Sequence, residues 1–186
     1  MSYRRSIRRA PSLWIALALA TAGAMVSTLS ACEPGGGQAT KVFDGDSFLM
    51  RDPGGKEIEV RLYAIDAPER SQPWSRRSRE SLRRLIRGYD LSLELVDTDR
   101  YGRAVAKVTR QMDGLVINKE MIRRGDAWVY RRYASDPDSL SRLGLQDLFE
   151  LEEAARNQSL GLWSLPKAEQ MAPWEWRKQQ RVRATR

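Results

Sequence analysis

Asp46, Asp66 and Glu69 each fall near a bend between short apolar runs. Arg61 lies on the exposed face of the strand leading into Asp66, and Arg103 starts a strand just after a glycine. Carboxylates that converge at the rim of a sheet, with no imidazole nearby, make oxygen donors for a hard cation. Two guanidiniums facing such a cation suit a phosphodiester, because arginine keeps its charge and gives paired bonds to phosphate oxygens. Phosphoryl transfer there also needs a base for water, and Glu69 is the candidate. Taken one at a time, each of these residues has an ordinary reading as a turn acid or a surface arginine, and short acidic motifs recur without function. One cation reading fails outright. Asp97-Thr98-Asp99 starts like an EF-hand loop, but Tyr101 takes the fifth place and Val108 the twelfth, where a glutamate should close the site.

Composition narrows the chemistry further. The 186 residues include 32 Lys+Arg, 24 Asp+Glu, one Cys and no His. Without histidine there is no Ser-His-Asp or Cys-His machinery and no imidazole zinc site. A single cysteine leaves no internal disulfide and no thiolate cluster. The net charge of +8 is unevenly spread: the first 31 residues contribute +4, residues 167–186 contribute another +4, and the stretch between is neutral. The middle of the chain therefore does not act through bulk positive charge.

Residues 1–31 read as a signal segment, with Arg4, Arg5, Arg8 and Arg9 ahead of an apolar run from Ser12 to Leu29. Small residues then precede Cys32, as in a bacterial lipoprotein signal whose cysteine carries lipid; an uncleaved anchor or a plain secretory peptide are the other readings. The expected location is the cell envelope, lipid-anchored to a membrane, or else outside the cell. The glycine-rich stretch 32–39 reads as a flexible tether.

Patterned sequence fills residues 40–164. Lys41 to Phe43 and Ser47 to Met50 predict strands around a turn at Asp44-Gly45-Asp46, and Asp52-Pro53-Gly54-Gly55 is a second turn. Ile58, Val60 and Leu62 alternate with Glu57, Glu59 and Arg61, which predicts a half-buried strand. Leu91, Leu93 and Leu95 alternate in another, and Ala104 to Thr109 form a third. Helices are predicted in Ser75 to Tyr89 (Leu82, Leu85, Ile86), in Asn118 to Arg124, and around Leu145 to Ala155. About five short strands with three helices suggest a small α+β domain on a curved or closed sheet. Residues 165–186 read as a basic, flexible tail whose Trp174, Trp176 and cations could lie on lipid or substrate.

Five blocks then appear in order: Val42-Phe43-Asp44-Gly45-Asp46-Ser47, Val60 through Glu69, Asp99-Arg100-Tyr101-Gly102-Arg103, Ile117-Asn118 through Gly125, and Gly161-Leu162-Trp163-Ser164. Together they resemble the successive motifs of the staphylococcal nuclease (thermonuclease) family. The resemblance implies an OB-type five-stranded β-barrel with three α-helices and a calcium-dependent phosphodiesterase acting on DNA and RNA; no protein partner is expected, and the chain is expected to be a monomer. It implies that Asp46, Asp66 and the main-chain carbonyl of Ala67 hold Ca2+. In the same reading Glu69 is the base or water-orienting group, Arg61 and Arg103 bind the scissile phosphate, and Tyr101 contacts the nucleotide. The family's usual threonines are replaced by Ala67 and Ser47; the first change spares a backbone ligand but loses a hydroxyl. Tyr130 and Tyr133, set among Arg131 and Arg132, form an aromatic basic patch that could stack bases, with a solvated surface strand as the plain alternative. A non-catalytic nucleic-acid-binding module on the same barrel, or a structural lipoprotein, would be the competing functions.

Overall fold

The computed structural model describes residues 35–132 and 136–185. The signal segment, Cys32 and Tyr133 lie outside the described residues.

Strand β1 (Gly36–Val42) pairs antiparallel with β2 (Ser47–Arg51), which pairs with β3 (Glu57–Leu62) across the expected Asp52 to Gly55 turn. After the two-residue strand β4 (Ile65–Asp66) and helix α1 (Ser75–Ile86), β5 (Asp90–Thr98) returns beside β1. Strand β6 (Ala104–Arg110) pairs antiparallel with β5 and parallel with β3, which closes the five long strands into a barrel. The fold is α+β of OB type. Phe48, Met50, Val60, Leu91, Val105 and Val108 are fully buried inside it. The alternation in β3 holds, with Val60 and Leu62 facing the core and Arg61 the other side.

Strand β7 (Leu115–Val116) leads into helix α2 (Ile117–Arg123), and β8 (Trp128–Val129) pairs with β4. Buried Asn118 joins these layers: its side-chain oxygen accepts from the Val108 N–H at 2.9 Å, and its amide donates to the carbonyls of Tyr63 and Ala106 at 2.9 and 3.3 Å. A buried amide satisfied by three backbone groups fixes the end of β3 against β6 and α2. Helices α3 (Pro137–Arg142), α4 (Leu148–Asn157) and α5 (Pro173–Ala184) follow, with 3₁₀ turns at Gly161–Ser164 and Lys167–Glu169.

Three features differ from the sequence expectations. Gly36 to Ala39, read as tether, belong to β1. A side chain at Gly36 would lie 2.8 Å from the Leu91 carbonyl, so glycine here serves close strand approach. Leu95 does not continue the inward row of Leu91 and Leu93: β5 shifts register between Leu95 and Asp97, and Leu95 is left 64% exposed. The helices number five among the described residues where three were expected. Both additional ones, α3 and α5, begin with a proline in the first turn, a start signal that carries no apolar periodicity with it.

The segment leading into α5 docks on a small aromatic cluster separate from the barrel core. Ala172 is buried there with Trp128, Ala155, Leu162 and Trp163, and Trp74, Leu165 and Trp174 pack around them. Gln72 donates to the Met171 carbonyl at 2.9 Å, tying the loop before α1 to this segment.

Candidate active site

The loop before β2 aims Asp46 by local hydrogen bonding. The Asp44 carboxylate accepts from the Asp46 N–H at 3.1 Å and from the Ser47 hydroxyl at 2.6 Å, an Asx-type turn. Gly45 seats this loop on its neighbours, since a Cβ there would stand 2.8 Å from the Ala67 methyl and collide with Ser78 of α1. Asp66 arrives from the opposite direction. It pairs with Trp128 in the β4–β8 ladder, and β8 is itself held by the buried Glu152, whose carboxylate accepts from the Val129 N–H at 2.9 Å.

Arg61 joins the two acids. Its guanidinium donates to Asp46 at 2.7 Å and to Asp66 at 3.0 Å, with a longer bond of 3.4 Å to the Ile65 carbonyl. The second Asp46 oxygen accepts from the Ala67 N–H at 2.8 Å. Burial works against the Arg61 charge, yet Asp46 and Asp66 outweigh it and hold this guanidinium firmly protonated. Asp46 has the reverse balance. Burial, with Asp44 and Asp66 adding to it, pushes its carboxyl up to about 8 against the opposing pull of Arg61 and the Ala67 N–H. The corner is short of positive charge.

Glu69 sits on the loop after β4, where it exchanges backbone and side-chain bonds with Gln72 at 2.7 and 2.8 Å. Its carboxylate is partly exposed and accepts from Arg177 of α5 at 2.6 Å. Arg177 also donates to both oxygens of Asp66, at 2.8 and 3.3 Å. Arg103 enters from the start of β6 and is paired with Asp99 at 2.7 Å. Tyr101 beside it is 69% exposed, with the Arg103 and Arg100 guanidiniums 5.6 and 4.8 Å from its ring centre.

Asp46, Arg61, Asp66, Ala67, Glu69, Tyr101, Arg103 and Tyr130 all line one cavity of about 650 Å³. Of the candidate residues in the domain, only Tyr133 is not seen there, because it lies outside the described residues. Two contributors escaped sequence reasoning. Asp99 holds Arg103 from within the same tight turn, a pairing that the Asp-x-x-x-Arg spacing could have suggested. Arg177 has no comparable signal, being separated from Asp66 by 111 positions in a segment whose composition reads as a tail.

The donor set fits a hard divalent cation. Two carboxylates with exposures of 3% and 1%, one of them pushed toward its neutral form, gain from a cation brought against them. Among the described residues no three acids close a complete metal cluster by themselves, so a main-chain carbonyl and water would complete the coordination.

Residues 59–165 match the model for "Staphylococcal nuclease homologue". An Escherichia coli protein called an uncharacterized endonuclease is 37% identical over 141 residues, covering 76% of this chain and 84% of its own. A Haemophilus influenzae protein of the same description is 34% identical over 84% of this chain and 82% of its own. A Shigella flexneri protein called micrococcal nuclease is 33% identical over 87% of this chain and 91% of its own.

Proposed function

Because the chain belongs to the staphylococcal nuclease family, and is therefore a nuclease, we propose that it is a calcium-dependent phosphodiesterase hydrolysing DNA and RNA with little sequence preference. In this reading Asp46, Asp66 and the Ala67 carbonyl hold Ca2+, Glu69 serves the attacking water, and Arg61 and Arg103 serve the phosphate. The observation that carries it is the convergence of these residues, from four separate stretches of the fold, on a single open cavity.

A backbone phosphate entering the cavity offers both arginines a new anionic partner. Arg103 exchanges Asp99 for a phosphate oxygen, and Arg61 adds a second cation where charge builds up in the transition state. Bound calcium would supply a further positive charge on the phosphate oxygens and a site for water. Glu69 takes the water's proton as oxygen bonds to phosphorus and the bond to the 5′ oxygen breaks; that oxygen takes a proton from solvent and leaves as a 5′-hydroxyl, and the other end keeps a 3′-phosphate. Tyr101 and Tyr130 present rings at the cavity wall on which bases can stack, a contact indifferent to base identity.

The test is digestion of single-stranded DNA by protein lacking residues 1–32, titrated with calcium. Cleavage is expected to stop in excess chelator and return with calcium; equal digestion in chelator overturns the reading. Because the Asp46 carboxyl is raised to about 8, it is protonated below that pH and the cation must displace the proton. Half-saturating calcium should therefore fall, by up to about tenfold per pH unit, as pH rises toward that value, and level off above it.

The unique Cys32 after an apolar run supports export and lipid tethering. Labelled fatty acid should enter the wild-type chain and not Cys32→Ser; equal labelling of both would remove the tether.

A further inference from the structure

We propose that helix α5 is a built-in latch, whose Arg177 occupies the carboxylates that the cation and the attacking water require, and that calcium and nucleic acid must displace it. The inference rests on the proposed assignment of Asp66 as cation ligand and Glu69 as base.

The contact engages both of those groups at once. One guanidinium nitrogen of Arg177 donates to Glu69 at 2.6 Å, and the other donates to Asp66 at 2.8 Å. Asp66 Oδ1 accepts from both Arg61, at 3.0 Å, and Arg177, at 3.3 Å, and Oδ2 accepts from Arg177 at 2.8 Å, so both Asp66 oxygens are engaged by guanidiniums. An oxygen so engaged has little left to give a cation, and two positive charges cannot share one carboxylate edge. Arg177 and a divalent cation are therefore competitors for the same place. Asp66 and Glu69 in turn hold Arg177 strongly in its charged form, despite some burial.

The helix is built to hold this position without being locked into it. Its first turn is anchored by Ala172, Pro173 and Trp174, with the Trp174 ring 6.0 Å from that of Tyr130. Arg177 lies three residues after Trp174, on the same face, so docking the tryptophan delivers the guanidinium. From Lys178 onward every described residue is exposed. The Arg177 side chain is 37% exposed and Glu69 38%, so half of the contact lies at the solvent side, where ion pairs exchange readily. A phosphate backbone arriving at the cavity gives Arg177 a replacement partner, and exposed Arg181, one turn further along α5, continues the same face with Lys178 beside it. The charge at the C-terminal end thus has a role at the site that net charge alone does not suggest.

The experiment compares the full chain with Arg177→Ala and Arg177→Gln, measuring calcium binding by calorimetry without nucleic acid, amide hydrogen exchange over residues 173–184, and cleavage of single-stranded DNA. Both variants should bind calcium about fivefold or more tightly than wild type. Adding calcium to wild type should raise exchange across α5, whereas in the variants exchange there should start high and change little. Affinities within twofold of wild type, with α5 protection unaffected by calcium, overturn the latch and leave the nuclease reading standing. A loss of cleavage in both variants at unchanged calcium affinity also overturns it, and makes Arg177 a phosphate ligand instead. Absence of calcium binding in all three proteins removes the cation assignment and the latch together.

Discussion

Glu69→Gln should lower turnover on single-stranded DNA by about a thousandfold while leaving affinity for a non-cleavable oligonucleotide within about twofold. The expectation follows from what distinguishes Glu69 from the other acids of the cavity. Asp46 and Asp66 are buried and committed to Arg61, whereas the Glu69 side chain is 38% exposed and can meet a water delivered from solvent. Its loop is held at the backbone by Gln72, at 2.7 and 2.8 Å, so the amide of the variant occupies the same position. Glutamine keeps the size and the oxygen that accepts from Arg177 but cannot take a proton. Steady-state kinetics and fluorescence anisotropy on the same preparations separate the two effects. A non-catalytic binding module would show no change in either, and parallel losses in both would mean that Glu69 serves binding and not proton transfer.

The parts of this site that were legible in the sequence are those set by local chemistry. Asp46 follows a turn that Asp44 and Gly45 specify within three residues, and Arg61 and Asp66 are separated by a single strand end, so their types and spacing could be read directly. The barrel was likewise legible where a strand alternates cleanly, as in β3. What could not be read depends on pairing between distant segments. Leu95 alternates like a core residue, yet it stands exposed beside the register shift in β5, a feature that exists only in the pairing with β6. Gly36 looks like linker until Leu91 stands opposite it. Arg177 looks like one more tail cation until Trp174 finds the aromatic cluster. The five blocks carried the resemblance because each packs much of its chemistry into consecutive residues; α5 lies beyond the last of them.

Arg61→Ala is expected to give the second large effect, and on two readouts. Its guanidinium is the only group bonded to both Asp46 and Asp66 among the contacts described, and the carboxylates it joins are 4% and 1% exposed at the side chain. Removing it leaves two buried acids facing each other, offset by the Ala67 N–H and Arg177, which should cost about 3–5 kcal/mol of stability in chelator. Arg61 is the main pull that lowers the Asp46 carboxyl, so without it that carboxyl rises above about 8 and protonation becomes the protein's escape: the loss should shrink as pH is lowered toward about 8 and level off below it. Calcium offers the other escape: it binds the same two acids, so the variant should regain more stability from calcium than wild type does. Cleavage should nevertheless fall by about a thousandfold even at saturating calcium, because the cation replaces Arg61 between the acids but not on the phosphate. Arg61→Lys tests the geometry. A single ammonium can neutralise one acid but cannot span both as a planar fork does, so it should recover part of the stability and little of the activity. Urea denaturation with chelator and with calcium, beside single-turnover cleavage, distinguishes these roles. A variant as stable as wild type in chelator would show that Arg61 does not hold the acids together, and full activity in calcium would show that it does not act on the phosphate.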